Sequence, residues 1–262
     1  MPEISFKDIR IHYEFKGRGP LVILIHGFLE SHRIWSEIAG ALCTRNAVMA
    51  IDLPGHGQSD CIGYVHTMDE MAEAVYAVMR AHRRRRVDLV GHSMGGYVAL
   101  AFAERYPDCV RRLVLFQSTA TADSSEAIQN RKAAIEMIRR DHKRFIRHAI
   151  PLLFKPVNRR RYRREISKLK AEALKTPVQG IVAALRGMML RPNREWLLAF
   201  PPYPVFIIAG DDDPRIPLSE LSRQAEISPA VSLHVIEKCG HMAYIEARDE
   251  SVRLLKRLLR KS

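Results

Sequence analysis

Gly91-His92-Ser93-Met94-Gly95-Gly96 sets a serine in a G-x-S-x-G spacing. A serine hydroxyl is a weak nucleophile. It must be exposed, lose its proton as it attacks, and have a neighbouring base that is itself oriented by a third group. The apolar run Val87-Asp88-Leu89-Val90 before it reads as a buried strand, and Tyr97–Phe102 after it reads as an apolar helix. A sharp strand-to-helix turn would expose Ser93, flanking glycines would relieve the crowding of that turn, and the helix N-terminus would favour developing negative charge. The pattern alone is short, and a glycine-rich turn with an incidental serine would also show it. The flanking strand and helix are what make it a nucleophile candidate.

The base and its partner must come from elsewhere in the chain. His241 lies in Cys239-Gly240-His241-Met242, directly after the run Leu233–Ile236. Asp211, Asp212 and Asp213 follow the run Val205–Ala209, and local physics does not choose among three adjacent carboxylates in a loop. The order serine, acid, histidine along the chain is one of three used by well-known serine triads. All the candidates fall at C-terminal ends of expected strands, the edge where open parallel sheets bind ligands. An acyl-transfer site also needs donors for the oxyanion. The run Pro20–Ile25 ends in His26-Gly27-Phe28, so the backbone N–H of Phe28 and that of Met94 are the expected pair.

The elements that must hold these residues are legible as apolar runs. Pro20–Ile25, Ala47–Ile51, Val87–Val90, Leu113–Phe116, Val205–Ala209 and Leu233–Ile236 read as buried strands, and residues 4–15 as an edge strand or hairpin. Thr67-Met68-Asp69-Glu70 is a capping box that opens a helix with Met71, Val75 and Val78 on one face. Ser251–Leu259 reads as a last amphipathic helix. Such alternation predicts an α/β fold, a mostly parallel twisted sheet with helices on both faces. From Asp123 to about Phe200 the strand pattern stops and helical spacing takes over (Ile128, Ile135, Ile138, Phe145, Ala149; Tyr162, Ile166, Leu169, Ala173; Val178, Ile181, Val182, Leu185, Met189), punctuated by Pro151, Pro156, Pro177 and Pro192.

The 262 residues are 47% apolar and 27% charged, enough for a full core and against disorder. The net charge is +13, and residues 123–199 alone carry 19 Lys+Arg against 7 Asp+Glu. No apolar stretch reaches the length of a membrane span, and the N-terminus lacks the pattern of a secretory signal, so the expected compartment is the cytoplasm. Cys43, Cys61, Cys109 and Cys239 form no close pair; they are expected reduced and mostly buried, without a metal site.

Taken together, these residues resemble the α/β-hydrolase superfamily, in its small lid-bearing serine esterase and lactonase type. The resemblance rests on His26-Gly27-Phe28, Asp52-Leu53-Pro54-Gly55-His56-Gly57-Gln58-Ser59, Gly91–Gly96, Gly210-x-x-Asp213-x-x-x-Pro217 and Gly240-His241, and covers nearly the whole chain. It implies an α/β-hydrolase core over 1–118 and 201–262 and a helical cap over 119–200. It also selects Asp213 as the acid, and makes the Asp52–Ser59 loop structural, beside the mouth of the site. The implied activity is hydrolysis of carboxylic esters through Ser93, His241 and Asp213 and an acyl-enzyme, with no cofactor and no metal. Serine at the elbow argues against haloalkane or epoxide hydrolysis, which place Asp there.

Substrate identity rests on the cap, the part the resemblance describes least. A small-molecule ester is the expected substrate. The basic cap reads as a solvated surface first, and alternatively as a field that steers an anionic or acyl-carrier-linked ester. Lactone hydrolysis, carbon–carbon bond hydrolysis, acyl transfer or lyase chemistry could use the same triad. A different class of function, binding nucleic acid or an acidic protein through the cap, has the charge in its favour but no readable nucleic-acid motif. Oligomeric state is left open.

Overall fold

In the computed structural model, which describes residues 2–260, the apolar runs become strands wherever neighbours cover both faces. Leu21–Ile25 (β3) and Ala47–Ile51 (β4) are buried at every position. Glu3–Phe6 (β1) and Ile9–Lys16 (β2) form the expected hairpin, and Val87–His92 (β5), Val110–Phe116 (β6), Val205–Gly210 (β7) and Val231–Ile236 (β8) complete the set. The sheet order is β1-β2-β4-β3-β5-β6-β7-β8. β1 and β2 run antiparallel to their neighbours and the rest are parallel. β5 continues past its apolar run through Gly91 and His92, because Gly91 still pairs with Ile25 on one side and Leu115 on the other. One register line, Ile25–Gly91–Leu115–Ile207–Leu233, crosses five strands. The loops after β3, β5, β6, β7 and β8 therefore leave the sheet at one edge.

Helices cover both faces. Ser36–Leu42 (α1), Met68–Ala81 (α2) and Met94–Arg105 (α3) belong to the first half of the chain. Thr67 caps α2 as its sequence predicts, its Oγ1 accepting the Glu70 N–H at 3.1 Å. Between β6 and β7 lie Ser125–Ala149 (α4), Arg163–Ala173 (α5) and Val178–Leu190 (α6), with no strand among the described residues of that segment. Leu218–Ala225 (α7), Ala243–Glu246 (α8) and Arg248–Leu258 (α9) close the chain. α9 packs on α1, and α2 on α3. Met1, Lys261 and Ser262, the ends of the expected core, lie outside the described residues.

Two local expectations need correction. The first stretch of the insertion is not one helix. α4 breaks at Asp141 (φ −156°, ψ 87°), whose Oδ1 accepts the Arg144 N–H at 2.9 Å and so starts a second helix as its N-cap. The cysteines are not mostly buried either. Only Cys239 is; Cys43, Cys61 and Cys109 are half-buried. Cys43 ends α1 and Cys109 lies in a turn, where one side faces solvent.

The inserted segment is seated by α6. The His66 N–H donates to the Ala183 carbonyl at 3.0 Å. A side chain at Gly187 would collide with the His66 carbonyl, and one at Gly180 with the Gly55 backbone. Small residues thus let a helix approach a loop at backbone distance.

Candidate active site

Ser93 sits at the junction of β5 and α3 with φ 50° and ψ −117°, outside the regions favoured by L-residues. Such strain persists only where the surroundings over-determine it. Here the Ser93 N–H donates to the Phe116 carbonyl at 3.1 Å, and its own carbonyl accepts from Gly96 N–H at 2.9 Å and Ser118 Oγ at 2.7 Å. The turn is so tight that a Cβ at Gly91 would strike the Gly95 backbone, and one at Gly95 would strike the Ile25 carbonyl.

His241, in the loop after β8, brings Nε2 to 2.9 Å from Ser93 Oγ. Its Nδ1 lies 2.7 Å from Asp213 Oδ2. A carboxylate accepts, so Nδ1 carries the proton, and Nε2 presents its lone pair to the Ser93 hydroxyl. The two side chains are nearly fully buried. The three aspartates part company in space. Asp211 Oδ1 and Oδ2 accept the Cys239 and Lys238 N–H groups, tying the loop after β7 to the loop after β8. Burial pushes the Asp211 carboxyl up, but these backbone donors outweigh it and hold it below its ordinary value. Asp212 faces Lys155 Nζ at 3.1 Å. Only Asp213 reaches His241, with its Oδ1 accepting the Arg215 and Ile216 N–H groups at 2.7 and 3.2 Å.

The loop after β3 comes up against Ser93: a Cβ on Gly27 would lie 3.2 Å from Ser93 Cβ. Phe28 directly follows Gly27 in this loop, and Met94 directly follows Ser93 at the start of α3. Neither the Phe28 nor the Met94 N–H has a hydrogen-bond acceptor among the described residues. His26 braces the loop from beneath. Its Nε2 accepts the Leu53 N–H at 3.0 Å, so its Nδ1 is the donor to the Gly27 carbonyl at 2.7 Å.

Sequence reading missed a second group of buried polar residues here. Glu30 accepts the Gly27 N–H at 2.6 Å, and His92 lies between Glu30 and the His241 carbonyl. Gln117 accepts the Ala243 N–H at 2.9 Å and donates to the Gly240 carbonyl. The one available signal was that His92 ends β5 and Gln117 follows β6, polar residues at the ends of apolar strands where an isolated polar side chain needs a partner.

The Asp52–Ser59 loop is a structural knot. Asp52, fully buried, accepts from the His32 N–H at 2.7 Å, the Gln58 N–H at 3.0 Å, and the Nδ1 atoms of His32 and His12 at 2.9 and 3.0 Å. These donors hold its carboxyl well below the usual carboxylate range against the opposing effect of burial. His12, His32 and Asp52 are the one group among the described residues spaced closely enough to hold a metal ion. The His32 and Gln58 backbone N–H groups donate to the two carboxylate oxygens of Asp52.

An open parallel sheet with an antiparallel edge, a strained serine at the β5–α3 turn and a histidine–aspartate pair after β8 and β7 together define a class of enzyme fold. The alpha/beta hydrolase fold family matches residues 20–248, and the chain belongs to it. It is a hydrolase of that superfamily. An esterase from Thermogutta terrifontis, solved with malate bound, is 32% identical, with a TM-score of 0.91 over 96% of this chain and 93% of that one. The 2-hydroxy-6-oxo-2,4-heptadienoate hydrolase of Pseudomonas putida is 27% identical over 91% of this chain and 88% of its own length. The pimeloyl-[acyl-carrier protein] methyl ester esterase of Chromobacterium violaceum is 25% identical over 94% and 97%.

Proposed function

We propose that the chain is a serine esterase in which Ser93, His241 and Asp213 form the catalytic triad. The observation that carries this is the unbroken relay of 2.9 Å from Ser93 Oγ to His241 Nε2 and 2.7 Å from His241 Nδ1 to Asp213. Ser93 Oγ attacks the ester carbonyl carbon as His241 Nε2 takes its proton. The backbone N–H groups of Phe28 and Met94 receive the oxyanion, each such donor supplying about 3 kcal/mol in comparable enzymes. Asp213 holds the imidazole tautomer and stabilises the imidazolium. The tetrahedral intermediate collapses, His241 protonates the leaving alkoxide, and the acyl group stays on Ser93. Water, deprotonated by His241, then attacks the acyl carbon and releases the acid with Ser93 reprotonated.

In this reading residues 119–200 are a cap over the site. The Leu153 carbonyl in that segment accepts the His241 N–H at 2.9 Å, which supports it. The substrate is a small ester, with anionic or carrier-linked acyl groups favoured by the basic cap, and the compartment is the cytoplasm. The 32% identity to an esterase favours ester over other bonds. The 27% identity to a 2-hydroxy-6-oxo-2,4-heptadienoate hydrolase supports carbon–carbon bond hydrolysis as the second reading.

The test is turnover of short p-nitrophenyl esters by wild type and Ser93→Ala, with a fluorophosphonate as covalent label. Loss of turnover and of labelling in the variant is expected; equal turnover in both proteins overturns the triad. Release of acid from a 2-hydroxy-6-oxo dienoate, with esters untouched, would replace the first reading by the second.

A further inference from the structure

Directly behind Ser93 lies a charged pair that the steps above do not use. Glu30 and His92 are 4% and 1% exposed, and Glu30 Oε2 stands 2.9 Å from His92 Nδ1. The other ring nitrogen, His92 Nε2, stands 3.0 Å from the His241 carbonyl oxygen. Both nitrogens therefore face acceptors. A neutral imidazole has one N–H, so it would turn a lone pair on one of them. Glu30 in turn accepts the Gly27 N–H at 2.6 Å through Oε2 and the Tyr244 hydroxyl at 2.8 Å through Oε1. Two donors besides His92 favour the carboxylate over the acid. A lone buried carboxylate would be very costly, and the imidazolium is its counter-charge.

The pair spans the two loops that the reaction needs in register. Gly27 precedes Phe28, a proposed oxyanion donor, and His241 is the proposed base. We propose that Glu30 and a doubly protonated His92 act as a positioning bridge that locks the oxyanion loop to the histidine loop behind Ser93. The proposal rests on the esterase reading and deepens it. With the Leu153 carbonyl on its N–H and His92 Nε2 on its carbonyl, the His241 backbone is held from both sides. The titratable groups facing His92 are Glu30, His241 and Tyr244, with Asp213 behind His241; Trp35 and Phe116 close the remaining sides with aromatic edges. The charges are self-consistent. Glu30 and His92 cancel, which leaves Asp213 alone to balance the proton that His241 gains. Burial drives the His92 imidazole toward the neutral form, and the Glu30 charge and hydrogen bond outweigh this, leaving its pKa raised.

The first test needs no turnover. In wild-type protein labelled with nitrogen-15 histidine, the His92 ring, assigned by its contacts to Trp35 and Phe116, is expected to show both nitrogens protonated at about pH 7.5, where a histidine of the ordinary value of about 6.5 is mostly neutral. A nitrogen lone pair on His92 at that pH, whether the proton has gone to Glu30 or to water, overturns the imidazolium bridge. The second test is kinetic. Glu30→Gln keeps the size of the side chain but removes the charge; it is expected to lower kcat by about tenfold or more with KM within about twofold, since displaced catalytic groups lose rate rather than binding. Glu30→Asp, which keeps the charge, is expected to recover part of that loss. An unchanged kcat in folded Glu30→Gln overturns the positioning role. If Glu30→Gln does not fold, the spectrum of the wild type decides. If wild type hydrolyses no ester, the esterase reading fails while the charge state of His92 is still read directly.

Discussion

Asp212 and Asp213 are neighbours in the chain and face opposite ways: Asp212 turns out to Lys155 Nζ at 3.1 Å, while Asp213 Oδ2 meets His241 Nδ1 at 2.7 Å. The turn that separates them is fixed by the Arg215 and Ile216 amides on Asp213 Oδ1. Asp213→Asn keeps the shape but can present an N–H to Nδ1, which favours the tautomer that cannot accept the Ser93 proton. A fall in kcat of about 10⁴-fold is expected, as for triads of this kind. Asp212→Asn loses only a surface ion pair, and kcat within about twofold of wild type is expected. Steady-state kinetics on one p-nitrophenyl ester checks both. Equal losses in the two variants would remove Asp213 from its special place.

How far these relationships were legible beforehand depended on whether their cause is local. Leu21–Ile25 and Ala47–Ile51 announce themselves because a strand covered on both faces must be apolar throughout. Ser93 and His241 are legible because each follows an apolar strand run at a glycine-bearing turn, and the helix after Ser93 sets it apart from an incidental turn serine. The Asp211–Asp213 choice is not local: it depends on where His241 lies, 28 residues on from Asp213. The Glu30–His92 pair joins residues 62 apart, and nothing in either neighbourhood names the other. The break in α4 was missed because the apolar spacing runs on past Asp141, and an aspartate within a helical pattern reads as surface until its cap on Arg144 is seen.

The strain at Ser93 should be measurable as stability. Its backbone, at φ 50° and ψ −117°, suits glycine far better than any residue with a Cβ. Relief of such strain is worth about 1–3 kcal/mol. Part of that is returned as the greater chain entropy of glycine in the unfolded state, about 0.4–1 kcal/mol. Ser93→Gly is therefore expected to be inactive yet more stable by about 1 kcal/mol in urea unfolding, and Ser93→Ala to show no comparable gain. A destabilised Ser93→Gly protein would mean that the hydrogen bond to His241 outweighs the strain.

Acid should weaken the fold in a window set by two buried histidines. Burial pushes His56 down to about 3 and His66 down to about 4. The unfolded chain takes up these protons near the ordinary value of about 6.5, and the folded chain only near the lowered values, so between them the unfolded state binds more protons. Stability then falls as pH drops from about 6.5 to about 4, by up to about 1.4 kcal/mol per pH unit for each group. His92 acts in the opposite sense and in a higher window, since its raised value makes its contribution fade as pH rises. Asp52 adds its loss only below the usual carboxylate range. Replacing His66 by Gln, which can still accept from Ile62, is expected to shrink the loss between pH 6.5 and 4.5 by about 2 kcal/mol in urea titrations. The same loss in wild type and variant would show that His66 is charged in the fold.

The basic insertion makes a prediction that separates a functional field from an ordinary solvated surface. Residues 123–199 carry 19 Lys+Arg against 7 Asp+Glu. Part of this is spent internally, as Arg131 and Arg191 both pair with the buried Asp123. Arg160, Arg161, Arg163 and Arg164 remain exposed at the start of α5. A field from such a cluster reaches about 10 Å at 0.1 M salt and about 3 Å at 1 M, so an anionic ester drawn in by it should lose kcat/KM as salt rises. A neutral ester of the same size should not. The expected result is a severalfold fall in kcat/KM for a hemisuccinate-type ester between about 0.02 M and 0.5 M sodium chloride, with kcat unchanged. The double variant Arg160→Glu with Arg163→Glu should flatten that dependence and leave the neutral ester unaffected. If the two esters respond to salt alike, the arginines are solvated surface, and the acyl preference must come from uncharged contacts within the site.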